Sequence, residues 1–389
     1  MDRQAVTDEL AGWLRFALTP VSPARQRSLL AAFGLPGNIF AQPHSHLAGV
    51  AGHEAADALL RGPSPEALET TLAWAGEDGN HILTLADAAY PQSLLEIADP
   101  PPVLYVKGNS ALFGRPTLAI VGSRAPTARG EADAEAFASS LGAAGLTIIS
   151  GLAHGIDAAA HRGALAVECG STIAVIGTGI DRIYPARNAA LAREIAARGA
   201  IISEFPLGTP PARWNFPRRN RLIAGLSLGV LVVEATLESG SLITARLAAD
   251  AGREVFAIPG SIHSPQARGC HRLIREGAKL VETAEDVFEE LRGRTGATLP
   301  RHVTLSQRMP SPLPPRAASQ SLPIPAHLAP EAIQVLEALG CEPRDIDTLA
   351  LATGLAVEAL HAHLLTLELE GLASRQTGGG FLSLHARAA

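Results

Sequence analysis

Six short apolar runs recur between residues 116 and 290, at 118–121, 146–149, 172–176, 200–202, 230–233 and 254–258. They are rich in Val, Ile and Leu and nearly continuous, whereas a strand with one wet face would alternate apolar and polar residues. Ala-rich stretches of helical character separate them, such as GEADAEAFASSLGAAG, IDAAAHRGALAVE and SLITARLAADAG. A strand that is apolar on both sides must be covered on both sides, and a helix after each strand supplies the cover. The rhythm therefore predicts a doubly wound α/β domain over residues 116–290 with a mainly parallel sheet.

On either side of this core the texture changes. Residues 1–75 are rich in Ala and Leu at helical spacing, with a start signal at Ser22-Pro23 and a stop at Gly34, and predict a small helical domain. Residues 76–115 carry short apolar runs broken by prolines, end in a predicted strand at 103–106, and read as a connecting segment leading into the sheet. Residues 291–329 are dense in Pro and Ser, which neither form a helix nor bury a core, and read as a linker. Residues 330–389 hold three helical stretches and then LASRQTGGGFLSL, a short hairpin; this is the layout of a winged helix.

Composition excludes several classes. A hydrophobic content of 47% rules out an intrinsically disordered chain. The start, MDRQAVTDEL, is too polar for a signal peptide. The longest uncharged stretch, 136–156, contains Gly142, Gly145, Gly151 and Gly155, so it reads as helix, turn, strand, turn, and no membrane span is expected. Cys169, Cys270 and Cys341 lack metal or redox spacing and suit a reducing, cytoplasmic setting. A net charge of −6 argues against a uniformly basic nucleic-acid coat. The charge is unevenly placed, however. From residue 330 onward there are eight acids and three bases, while 100–130 and 205–233 contain basic residues and no acid at all.

In an open parallel sheet, ligands bind beyond the carboxyl ends of the strands. The loops that follow the predicted strands are informative. The first carries Gly122, Ser123 and Arg124; the second Ser150 and Gly151; the third Tyr184, Arg187 and Asn188. The fourth carries Arg213, Trp214, Phe216, Arg218, Arg219, Asn220 and Arg221, and the fifth leads through Gly240 to a helix at Ser241. Small residues at helix starts expose backbone N–H groups to anions. Arginines beside aromatics suit phosphates plus bases. Arg124, Arg187, Arg213 and Arg219 are expected to hold consecutive phosphates, with Phe216 stacking on bases, joined by Trp214 or Tyr184.

Enzyme signatures are missing. Gly177-Thr178-Gly179 begins a GxGxxG, but residue 182 is Arg, and no P-loop is present. Ser150 does not sit in a GxSxG elbow. His154, Asp157 and His161 could share a helical face, but Asp157 is better read as complementing a helix start and His161 as packed or hydrogen-bonded. Neither a metal nor a cofactor is expected.

At these loops the sequence closely resembles DNA processing protein A, the DprA/Smf family. The matching stretches include YPQSLLEIADPPPVLYVKGN, AIVGSRAPT, SGLAHGIDAAAHRGAL, AVIGTGIDRIYPARNAAL, ISEFPLGTPPARWNFPRRNRLIAGLS and VVEATLESGSLITARLAADAGREVFAIPG. They run in order over roughly 88–290. The resemblance implies an extended Rossmann-like domain that binds single-stranded DNA without sequence preference. It also implies homodimerisation and loading of RecA on incoming DNA in natural transformation, with single-strand-binding protein as a further partner. By the same resemblance Arg124 is a phosphate-binding arginine, Ser150 and Gly151 are backbone contacts, Arg213 stands where the family often has Lys, and Phe216 meets a base. The start is similar in layout to a sterile-alpha-motif-like domain.

Two departures stand out. Cys270-His271 replaces a Thr-Asn-like pair of many relatives, and the candidate recognition helix AVEALHAHLLTLELEG carries three Glu and no Lys or Arg. A helix entering a DNA groove should be basic, so this domain reads as a protein-contact or regulatory module. A phosphoribohydrolase-like enzyme on a related fold is the alternative; it would use a PGGxGT-type loop, and ESGS at 238–241 lacks the double glycine.

Overall fold

The computed structural model describes residues 3–295, 328–339, 344–370, 372–375 and 380–383. The chain forms two compact units that divide after Val303. The first opens with six helices: α1 (Arg3–Leu18), α2 (Pro23–Phe33), α3 (Pro36–Phe40), α4 (His44–Ala51), α5 (His53–Arg61) and α6 (Pro65–Ala75). Ser22-Pro23 starts α2 and Gly34 ends it, as the sequence pattern indicates. Phe16, Leu29, Ile39, Leu47 and Leu59 are fully buried among these helices. Trp13, Leu14 and Trp74 pack instead on sheet residues, with Trp74 edge-on to Tyr105 at 5.9 Å.

A nine-stranded sheet follows, in the order β1–β2–β6–β5–β4–β3–β7–β8–β9. The parallel strands are β3 (Thr117–Val121), β4 (Thr147–Ser150), β5 (Ser171–Val175), β6 (Ala200–Ser203), β7 (Gly229–Val232), β8 (Glu254–Ala257) and β9 (Lys279–Leu280). β1 (Asn80–Thr84) and β2 (Val103–Gly108) extend one edge antiparallel, Val106 standing opposite Ile202. Residues 76–115 thus contribute two strands of the sheet, more than a connecting segment. No helix-covered rhythm marks them because antiparallel edge strands need no crossover helix.

Helices α8 (Ala128–Ala143), α9 (Ile156–Leu165), α10 (Ala189–Arg198), α11 (Asn215–Leu226), α12 (Ser241–Asp250), α13 (Arg268–Arg275) and α14 (Ala284–Thr295) follow the parallel strands in turn; the short α7 (Gln92–Leu95) lies between β1 and β2. Strand side chains alternate between two cores. Leu118, Ile120, Ile148 and Leu231 face α8, α9 and α14. Ala119, Val121, Ile149 and Val230 face α11, α12 and α13. Both faces are therefore dry, which is why the strands read as unbroken apolar runs.

The second unit contains α15 (Pro330–Ala338), α16 (Ile346–Thr353), α17 (Val357–Leu369) and the hairpin β10 (Ala373–Arg375)–β11 (Phe381–Ser383). Asp345 caps α16 by accepting from the Thr348 amide at 2.7 Å, and Gly354 ends it in the left-handed conformation. Leu336, Leu349, Leu360, Leu364, Leu367 and Phe381 form its core. The expected Pro/Ser-rich linker falls mostly on 296–327 and Cys341 on 340–343, outside the described residues. Among the described residues no single helix is long and apolar enough to cross a membrane.

Candidate nucleic-acid interface

The strand order reverses direction at β3, where β4 lies on one side and β7 on the other. Such a switch point is the usual ligand crevice of an open sheet. Here it is filled from within. Glu234, just after β7, accepts from the Thr127 amide at 2.9 Å and from Thr127 Oγ1 at 2.6 Å, covering the start of α8. Gly130 makes room for it, since a Cβ there would lie 2.4 Å from the Glu234 carboxyl carbon. Burial raises the Glu234 pKa, against the two Thr127 hydrogen bonds. A bound phosphate would have to displace this carboxylate, so the anion-seeking groups lie further along the rim, over β3, β4 and β5.

There the predicted loops converge. The Arg124 guanidinium stands 5.6 Å from the Phe216 ring centroid, and the Tyr184 ring lies 5.6 Å from Phe216 at a 40° tilt. Arg187 donates through Nε to His154 Nδ1, and Asn188 donates to Leu152 O at 2.9 Å and Ala153 O at 3.2 Å. Leu152 is buried with φ +58°, a conformation that costs roughly 1–2 kcal/mol for a residue with a Cβ. The Asn188 bonds hold that turn. Burial, Arg187 and Arg124 together lower the His154 pKa, the direction that suits Nδ1 as an acceptor. Arg124, Arg187 and Arg213 are exposed and form no ion pair among the described residues. The Ser123, Arg124 and Gly151 amides likewise donate to no acceptor there. Trp214 extends the rim with 76% of its surface exposed.

Arg219 is placed differently from the expectation. It is 3% exposed, at the interior side of the rim, and Nη1 donates to Val175 O at 2.9 Å. Burial is the main cause that lowers its pKa to about 10, against the nearby Asp157. Gly151 admits it: a Cβ at that position would fall 1.6 Å from Arg219 Nη1. Asp157, in the first turn of α9, is buried and accepts from the Ala153 amide at 3.3 Å; burial raises its pKa, opposed by Arg219. His161, one turn on, is fully buried and paired with Thr172 Oγ1 at 2.7 Å. The three residues that could have mimicked a metal site are thus spread between surface and core. Among the described residues no group of metal-ligating side chains is gathered.

Other predicted residues sit apart from the cluster. Arg218 and Arg221 both bind Glu204 at 2.8 Å, whose side chain is 1% exposed, and Arg221 also reaches Asp99 at 3.4 Å. Arg218 stacks over Phe205, and Asp99 pairs with Arg27 of α2. These guanidiniums tie α11 to the segment that follows β6 and, through Arg221 and Asp99, to Arg27 of the helical region. Ser123 Oγ accepts from the Ala125 amide at 3.1 Å and serves its local turn, whereas Ser150 Oγ donates to Ile120 O at 2.6 Å and links the end of β4 to β3. Asn220 is half-buried on α11. Gly240 and Ser241 open α12, where the Ser241 and Ser239 hydroxyls pair at 2.7 Å. Glu204, Glu234 and Asp99 were not singled out from the sequence. Their one signal is position, as the acids that border the acid-free stretches.

The fold and the rim define a class: a Rossmann-like protein with a cationic, aromatic-bearing edge beyond the carboxyl ends of its parallel strands. Comparison with known proteins makes it specific. Residues 81–292 match the family described as DNA recombination-mediator protein A, and 315–379 match the DprA winged helix domain. The chain belongs to this DprA/Smf family. It is 41% identical to protein Smf of Escherichia coli over 81% of this chain and 80% of that protein. It is 49% identical to DNA processing protein DprA of Streptococcus pneumoniae over 53% and 73%. The X-ray structure of the pneumococcal protein matches with a TM-score of 0.64 at 37% identity, covering 72% of this chain and 97% of that one. DNA processing protein A from Helicobacter pylori, solved for its single-stranded DNA binding mode, matches with a TM-score of 0.50 at 31% identity, covering 55% and 96%. The family's description is that of a recombination mediator.

Proposed function

We propose that this protein binds single-stranded DNA without sequence preference along the rim formed by Arg124, Tyr184, Arg187, Arg213 and Phe216. The observation that carries this reading is the Arg124–Phe216–Tyr184 cluster beside unpaired loop amides. Cations and amides take successive phosphates while the rings take base faces, and every base has a face to offer. Arg219 supports the site from beneath, through Gly151. In this reading the protein acts in the cytoplasm as a homodimer and loads RecA onto incoming strands coated by single-strand-binding protein. The Helicobacter pylori relative's single-stranded DNA binding mode supports the first step; the family's description as recombination mediator supports the second.

Gel shifts on single- and double-stranded oligonucleotides at several salt concentrations test the binding. Preference for the single strand and a steep loss of affinity with salt are expected; equal or stronger duplex binding would refute it. For the second step, purified protein should let RecA displace single-strand-binding protein from DNA, and no displacement would refute loading.

A further inference from the structure

The second unit presents an unusual face. In a winged helix that reads DNA, the outward side of the recognition helix carries basic and polar residues to the groove. Here α16 and α17 are bent by 104° to one another, within the range of a helix-turn-helix. The inward side of α17 is ordinary: Leu360, Leu364 and Leu367 are buried. Its outward side is apolar as well. Val357, His361, Leu365 and Leu369 recur every fourth residue, and Val357, Leu365 and Leu369 are 43%, 58% and 81% exposed. On α16, Leu351 is 89% exposed, one turn beyond the exposed Asp347.

Charge settles what fits this face. None of α15, α16 and α17 contains a Lys or Arg, while the exposed Glu358 stands beside Val357 and the exposed Asp347 one turn before Leu351. From residue 330 on the net charge is −5. A phosphate backbone would be repelled. We propose that the outward face of α17, with Leu351, docks a basic amphipathic helix of a partner protein: its leucine side lies along Leu365 and Leu369, and its Lys/Arg flanks meet Glu358 and Asp347. Helix-on-helix recognition of this kind takes its anchors at one-turn spacing, and complementary charge sets its register and rate.

The test uses the full-length protein and a fluorescent synthetic 18-residue Leu/Lys helix with Leu on one face, read by anisotropy. Saturable binding is expected, with no binding of a Leu/Glu counterpart. Leu365→Ser with Leu369→Ser should weaken binding at least tenfold, and so should Leu351→Ser alone by a smaller factor, with unchanged thermal unfolding. Single-stranded DNA affinity should stay the same in both variants. The proposal is overturned if the Leu/Lys helix does not bind or binds both variants as it binds the wild type. It is equally overturned if light scattering shows the wild type self-associating through a contact that the variants abolish, since the face would then belong to a second copy. Loss of duplex DNA binding in the variants would also overturn it.

Discussion

A guanidinium at the surface and one in the interior contribute to an anion site by different physics. Arg124 is exposed over the Phe216 ring and can exchange a counterion for a phosphate. Each such exchange on a single strand contributes roughly 0.7 to the slope of log affinity against log salt. Arg124→Ala should therefore weaken binding and flatten that slope by about 0.7. Phe216→Ala should cost roughly 1–3 kcal/mol per base lost, with the slope unchanged. Titrations of both variants at four salt concentrations separate the two effects. Gly151→Ala should expel Arg219 from its seat and lower the thermal midpoint, because its methyl group would fall 1.6 Å from Nη1. His161 gives a pH signature. Burial lowers its pKa from the model-peptide 6.5 to about 3, so the folded state keeps the ring neutral. As pH falls below about 6.5 the unfolded chain gains a proton that the folded chain refuses, so His161 removes stability progressively down to about pH 3. Asp157 and Glu234, whose pKa values are raised, act in the opposite sense. Denaturant curves of wild type and His161→Gln across pH 3–7 isolate the histidine, and the difference between them should grow as pH falls.

At the scale of elements, α11 does two jobs with one run of sequence. Its first turn and the residue before it carry Phe216 and Trp214 to the rim, while Arg218 and Arg221 anchor it to Glu204 and, through Asp99, to Arg27 of the helical region. Glu204 lies almost wholly out of solvent, and an unpaired carboxylate there is costly. Arg218→Ala combined with Arg221→Ala should destabilise the protein by about 3 kcal/mol, measured by urea unfolding, and Arg221→Ala alone by less, since Arg218 still pairs with Glu204. The salt slope of DNA binding should not change. The motif NFPRRNR drew attention to every arginine in it, and rightly to none equally. Spacing on a helix separates Arg218 and Arg221 from Arg219, yet only the packed neighbours say which of these faces is the interior.

At the scale of the whole molecule, the net charge of −6 is mostly a property of the tail, and residues 1–329 carry only −1. A chain ending at residue 329 should associate with single-stranded DNA faster than the full chain at about 0.02 M salt, and the difference should vanish near 0.5 M, where charges more than a few ångströms apart are screened. Stopped-flow fluorescence measures this. Slower association at every salt concentration would mean that the tail itself contacts DNA.

The order of strands and helices was legible in the sequence because burial on both faces leaves a continuous apolar signature, and the helix punctuation at Ser22-Pro23 and Gly34 is local chemistry. The grouping of Arg124, Tyr184, Arg187 and Phe216 was legible too, because in a parallel sheet the loops after successive strands share one edge. Of the two antiparallel strands, β2 was legible as the run at 103–106, while β1 was hidden, since nothing local distinguishes a short strand from a connection. So were the partners of the charges. That Glu234 fills the switch-point crevice, that Glu204 claims two arginines, and that Arg219 lies under Gly151 are facts of long-range packing. Sequence determined which groups reach the rim; the tertiary structure decided which remain free to bind, because a charge is free only when no distant residue has been folded against it.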